Sequence, residues 1–231
     1  MNLAKACAYN TRQRASRYFD ALLSWGVLPP EVDACPPGSE QEALAVAAWQ
    51  TKLGVEADGL CGPGTWAAAM APLFDGRPAI PRGRAERDRI YGDPGRKPDP
   101  SDRRRLVVDP VWRDANLGRV TLGGKSYPCH KLAAVEMQRL YAKACSATGY
   151  NPRCDGVFVP RFINWNPDNE PSTHTWGIGV DFDAAHNGRK NADSAMHRNR
   201  LWPAIWEVAG WTWGGTFPTT DPMHFQRGSG F

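Results

Sequence analysis

A chain of 231 residues, 42% of them apolar, can bury one large domain or two small ones. Its 23 Gly and 20 Pro argue for many loops and turns rather than a long helical bundle, and no apolar run is long enough to span a bilayer. The formal charge of +4 and a pI of about 8.8 suit contact with an anionic polymer, and equally suit a protein that is simply mildly basic. The stretch from Met1 to Cys7 lacks the apolar core of a secretory signal, so synthesis and storage in the cytoplasm are expected. The six cysteines form no C-x-x-C pair, which excludes a zinc-finger arrangement. Free buried thiols are the expected state, with Cys145 and Cys154 the nearest local pair should the chain reach an oxidising space.

In chain order, Thr11 to Trp25 is predicted helical, with Ala15, Tyr18, Phe19, Leu22 and Leu23 on one face. Gly26 and Pro29-Pro30 end it. A Pro/Gly-rich loop leads to a second helix over Glu40 to Leu53, with Val46, Trp49 and Leu53 inward. Asp58-Gly59 marks a turn, and Gly62-Pro63 places Pro where its missing N–H costs nothing, opening a third helix from Thr65 to about Leu73.

The spacing Val46, Trp49-Gln50, Leu53-Gly54-Val55, Asp58-Gly59, Gly62-Pro63, Thr65-Trp66 resembles the peptidoglycan-binding domain of bacterial and phage wall hydrolases. Trp49 stands where that family more often has Phe. The resemblance implies a small all-α three-helix domain over residues 1–75 that anchors the protein to the wall.

Residues 76–105, rich in Pro, Gly and Arg, read as a solvated linker, with an ordered extended portion from Ile90 onward. From Leu106 the pattern changes to an α+β domain, 106–231, with a small antiparallel sheet. Short strands are predicted at Leu106–Asp109, Arg119–Leu122, Gly156–Phe162, Trp211–Gly215 and Met223–Gln226. Helices are predicted from Pro128 to about Ala147 and from Trp202 to Gly210.

The chemistry gathers late. His174 precedes Asp181 by seven residues with Gly177 and Gly179 between, and Asp221-Pro-Met-His224 follows. Two imidazoles and a carboxylate are the number and type of ligand that leave one position on zinc open to water. Asp183 rivals Asp181 on spacing alone. Asp221 is a candidate general base for water activated by such an ion. Arg161 is a candidate oxyanion partner or a structural ion-pair residue. His130, His186 and His197 are assigned to packing or surface.

The series Ser172, His174, Gly177, Gly179, Asp181, then Trp213-Gly214-Gly215, Asp221 and His224, resembles the zinc D-Ala-D-Ala carboxypeptidase family, which includes phage L-alanyl-D-glutamate endopeptidases. It implies that His174, Asp181 and His224 bind Zn2+, that Asp221 is the catalytic base and that Arg161 assists. Ser172 would orient the bend or a group of the stem peptide. Gly179 stands where the family usually has Ala, and a looser bend is expected. Together the two resemblances imply a phage or prophage endolysin, monomeric, held in the host cytoplasm and released to the periplasm or wall at lysis. Peptidoglycan is the expected partner, without nucleic acid or stable membrane insertion. The expected reaction is L-Ala–D-Glu endopeptidase cleavage. The alternatives are D-Ala-D-Ala carboxypeptidase action and a non-catalytic wall-binding or virion structural protein.

Overall fold

The computed structural model describes residues 1–231. Eleven α-helices and eight strands follow one another in chain order. The first helices are α1 (Leu3–Ala15), α2 (Tyr18–Ser24), α3 (Pro30–Asp33), α4 (Glu40–Leu53) and α5 (Pro63–Met70), the last continued by a 3-10 turn over Ala71–Phe74. The single helix predicted over 11–25 is thus two. Arg17 takes a left-handed conformation at φ +64° and turns the chain between them. Phe19 and Leu22 remain buried, whereas Leu23 is 47% exposed, because α2 starts a new face instead of extending that of α1. Helix α4 runs as its caps dictate: the Ser39 hydroxyl accepts from the Glu42 N–H, and Gly54 closes it at φ +70°. Buried Gln50 bonds Asp58, Gly59 and Thr65, and Asn10 holds Gly59 and Cys61, so the Asp58–Gly59 turn is fixed by polar side chains from two helices.

The segment expected to be a solvated tether is packed. It contains α6 (Arg84–Tyr91) and β1 (Lys97–Pro98), which pairs with β2 (Leu106–Val107). Arg87 and Tyr91 are each about 1% exposed. The Arg87 guanidinium lies 3.6 Å from the centre of the Trp176 ring, which offsets part of the cost of burying a charge. The basic residues of this stretch therefore do not form a free polycationic arm: Arg96 pairs with Asp88, Asp93 and Glu170, and Arg104 with Asp102.

Next come α7 (Pro110–Asn116), the hairpin β3 (Leu117–Leu122) and β4 (Lys125–His130), and the long α8 (Lys131–Thr148). This helix starts three residues later than its proline suggested, because residues 125–130 are committed to pairing with β3 and His130 supplies the N-cap. Then follow β5 (Cys154–Gly156), β6 (Gly179–Phe182), α9 (Ala184–Asn187), α10 (Ala195–Arg198), α11 (Leu201–Val208), β7 (Trp211–Trp213) and β8 (His224–Arg227). The strand expected over 156–162 ends at Gly156. Arg161 instead sits in an isolated bridge to Arg105, where Pro160 prevents a regular ladder. Strands β5, β6, β8 and β7 form one four-stranded antiparallel sheet in that order.

Behind the sheet, Phe182 and Phe225 meet Trp202 and Trp206 of α11 at ring-centre distances of 5.1 to 5.5 Å. Such a cluster buries large apolar area with few rotatable bonds, which makes a stiff floor for the strands above. The same buried apolar cluster continues through α11 and α2 to Phe19, Leu22 and Trp66. All six cysteines are free, five of them buried, and Cys145 and Cys154 are not bonded to each other. No helix is long and apolar enough to cross a membrane.

Candidate metal centre

Strands β6 and β8 are in register so that Asp181 is directly opposite His224. His174 enters from a 3-10 turn over Thr173–Trp176, capped by the Ser172 hydroxyl, which accepts from the His174 N–H at 3.5 Å. Gly177 then turns the chain at φ +68° into β6. A Cβ there would come within 2.7 Å of the His130 amide nitrogen, so the close approach of this turn to β4 requires glycine.

The outcome is a small triangle. His174 Nε2 is 3.2 Å from His224 Nδ1 and 3.2 Å from Asp181 Oδ1, and His224 Nδ1 is 2.9 Å from the same oxygen. The outer ring nitrogens are held by acceptors. His174 Nδ1 faces the Val157 carbonyl at 2.9 Å, and His224 Nε2 faces Gln226 Oε1 at 3.1 Å. An imidazole that donates its outer N–H turns a bare lone pair inward. Two lone pairs and a carboxylate oxygen then converge on one point inside a nearly buried pocket, an arrangement that a bound cation, or protons on the imidazoles, would relieve. Ligand atoms around one tetrahedral ion at about 2.0–2.1 Å lie about 3.3 Å apart, close to this triangle. The donor set thus fits a metal ion, and His174, Asp181 and His224 are the residues that could hold it.

Without a cation, protons on the imidazoles take its place beside Asp181. Burial alone would raise the Asp181 carboxyl, but His174 and then His224 overcome it and hold it far below the usual carboxylate range. Burial opposes charging of His224, yet Asp181 and, more weakly, Asp221 lift it above the ordinary imidazole value.

Asp183, the rival by spacing, is elsewhere: it accepts from the Tyr150 hydroxyl at 2.9 Å and pairs with His186. His186 is exposed and His197 lies against the Trp213 ring, whereas His130 is fully buried and caps α8.

A cleft of about 420 Å³ opens over the triangle. Asp221, Arg161, Ser172 and Arg189 line it together with His224 and Gln226. Asp221 is positioned by its backbone, which accepts from the His224 N–H at 3.0 Å and donates to Gly214 O at 2.8 Å. Its Oδ1 is buried without a partner. Burial raises the Asp221 carboxyl above its ordinary value, with Asp181 adding to the effect and His224, Arg189 and Arg161 opposing it. A bound cation would also oppose it. The Arg161 guanidinium, lowered from its usual value by burial, feels Asp181 ahead of Asp221. Arg189 and Gln226 also line this cleft, although no motif in the sequence marks them. Gln226 stands two residues beyond a candidate ligand on the same face of β8, and that period-two spacing was its available signal. Arg189 had no local signal.

Residues 166–227 match the family model described as D-alanyl-D-alanine carboxypeptidase. That span holds His174, Asp181, Asp221 and His224, and excludes Arg161. The match supports, at family level, a carboxypeptidase-type hydrolase of peptidoglycan, a class that usually requires a metal. No curated protein and no solved structure matches the chain.

The glycine at 179 does not loosen the bend. The space for a methyl group is filled by the Thr173 hydroxyl, 2.7 Å from where a Cβ would stand, with His174 N at 3.2 Å and His224 Cε1 at 3.3 Å. Gly179→Ala should therefore destabilise by about 1–3 kcal/mol through overpacking against a stiff β-branched neighbour. The double variant with Thr173→Ala should recover most of that loss in thermal unfolding. An additive double variant would refute the steric account.

Proposed function

We propose that the chain is a zinc peptidase of the peptidoglycan stem peptide, carried to the wall by its N-terminal helices. The convergence of two outward-tethered imidazoles and one carboxylate beneath a cleft that also holds Asp221 carries this reading. His174, Asp181 and His224 would hold the ion. Zinc, when bound, supplies Lewis acidity toward water and the scissile carbonyl. Asp221 takes the proton of the attacking water and returns it to the leaving nitrogen. The Arg161 guanidinium stabilises negative charge developing on the carbonyl oxygen. Ser172 keeps the His174 turn in shape and borders the substrate.

The division into a wall-binding unit over 1–75, a connecting segment over 76–105 and a peptidase over 106–231 belongs to the same proposal. A depression lined by Tyr9, Gln50, Glu56 and Asp58 gives the first unit a place for a wall fragment. The proposed setting is an endolysin acting as a monomer and released at lysis. The favoured bond is L-Ala–D-Glu. The family description favours removal of the terminal D-Ala as the second reading.

Mass spectrometry of muropeptides, run with the native protein, after chelation, and after zinc is restored, tests the reaction. The expected result is release of stem peptide from its L-Ala, lost on chelation and regained with zinc. Loss of a single terminal D-Ala would replace the endopeptidase by the carboxypeptidase. Wall binding without any peptide cleavage would leave the non-catalytic alternative.

A further inference from the structure

We infer that Arg189 is the specificity determinant of the cleft: it receives a free α-carboxylate on the residue that supplies the leaving nitrogen. This rests on the peptidase reading for its reaction, though not for its binding test.

The geometry begins with the loop after α9. The Lys190 N–H donates to the Thr220 carbonyl at 2.7 Å, which ties Arg189 to the residue immediately before Asp221. The Asn191 N–H closes the loop on Gly188 O at 3.0 Å. Arg189 lines the cleft with Asp221, is exposed, and forms no ion pair, unlike His186 and Arg198 on either side of it. Arg161 lines the same cleft from another element. The cleft thus carries two guanidinium groups on separate elements, and the Lys190–Thr220 bond brings the Arg189 loop to the Asp221 side.

Hydrolysis of an amide breaks the C–N bond and forms a C–O bond. Water gives its oxygen and one proton to the acyl product, and its other proton goes to the leaving nitrogen. With Asp221 carrying that proton, the leaving nitrogen stands beside Asp221. A carboxylate carbon on the Cα next to that nitrogen is two bonds away, about 2.5 Å. An unpaired guanidinium on the Asp221 side is the group placed to take it, by a charge-assisted and often bidentate contact. The two candidate bonds agree on this feature. Terminal D-Ala leaves with a free carboxylate on its Cα. D-Glu linked onward through its γ-carboxyl does the same. A stem peptide whose D-Glu α-carboxylate is amidated lacks it.

The test is calorimetric binding of two leaving fragments to the full chain: γ-D-glutamyl-L-lysine with a free α-carboxylate, and its α-amide. Cleavage of the matching acid and amide stem peptides is followed in parallel. Native protein should bind the acid at least about tenfold tighter, and Arg189→Gln should abolish the difference. On the acid peptide Arg189→Gln should raise KM about 10- to 100-fold with kcat changed little. Equal affinity of native protein for acid and amide overturns the assignment, as does a preference that survives Arg189→Gln. An intact, Arg189-dependent preference with no cleavage of either peptide upholds the assignment and overturns the proposed reaction instead. Arg189 is exposed, so its replacement does not endanger the fold.

Discussion

Asp221→Ala is expected to lower peptidoglycan hydrolysis by about 10²- to 10⁴-fold, the usual contribution of a positioned general base, while metal content and fold persist. The side chain lies outside the triangle of converging ligand atoms, so its removal takes no donor from the ion. Its backbone bonds to His224 and Gly214 do not depend on the side chain. The buried Oδ1 has no partner, so truncation leaves no orphaned donor behind and removes a polar atom that burial penalises. The expected signature is thus an inactive protein that unfolds no earlier than the native one, the pattern of a residue kept for chemistry at some cost in stability. Wall turbidity, metal equivalents and thermal unfolding, measured on one preparation, check it. Unchanged hydrolysis would remove Asp221 from the reaction, and loss of the metal would make it a support of the site instead.

Glu136→Ala should give the largest loss of stability, about 3–5 kcal/mol, which for a chain of this size lowers Tm on the order of 10 °C. Glu136 is 4% exposed and accepts from two arginines, Arg77 Nη1 at 2.5 Å and Arg227 Nε at 2.7 Å. Arg227 is fully buried and also donates to the Tyr91 hydroxyl and to the carbonyls of Pro78 and Ala79. Removing one carboxylate strands the fully buried Arg227 charge and the largely buried Arg77 charge, which costs more than replacing the whole network by apolar groups. The exposed pair Arg17–Asp20 offers the contrast: Asp20→Asn should change stability by no more than about 0.5 kcal/mol. Urea unfolding of both variants decides it, and similar losses for the two would refute the burial argument. Because Arg227 follows Gln226, which holds the outer nitrogen of His224, Glu136→Ala should also reduce hydrolysis.

Helix α4 was legible because both its caps are local: Ser39 lies three residues before the amide it caps, and Gly54 follows the last turn. The break at Arg17 was not, since a left-handed arginine carries no composition signal. The start of α8 departs from the expected one for a related reason: pairing of residues 125–130 with a neighbouring strand outweighs a proline's preference for the first helical turn. The segment 76–105 read as solvated because its charges are dense. In the fold those charges meet acids of the same segment, Asp88, Asp93 and Asp102, while Arg96 also meets Glu170 and Arg87 an indole, two partners that lie far along the sequence.

The sequence alone determined which donors are available late in the chain, His174, Asp181, Asp221 and His224, because their residue types and spacing are local facts. The tertiary structure alone decided that Asp181 faces His224, that Val157 and Gln226 hold the outer nitrogens of both imidazoles, and that Arg189 lines the same cleft as Asp221. Strand register, ring orientation and loop docking are set by contacts between residues distant in sequence, and short-range periodicity carries no record of them.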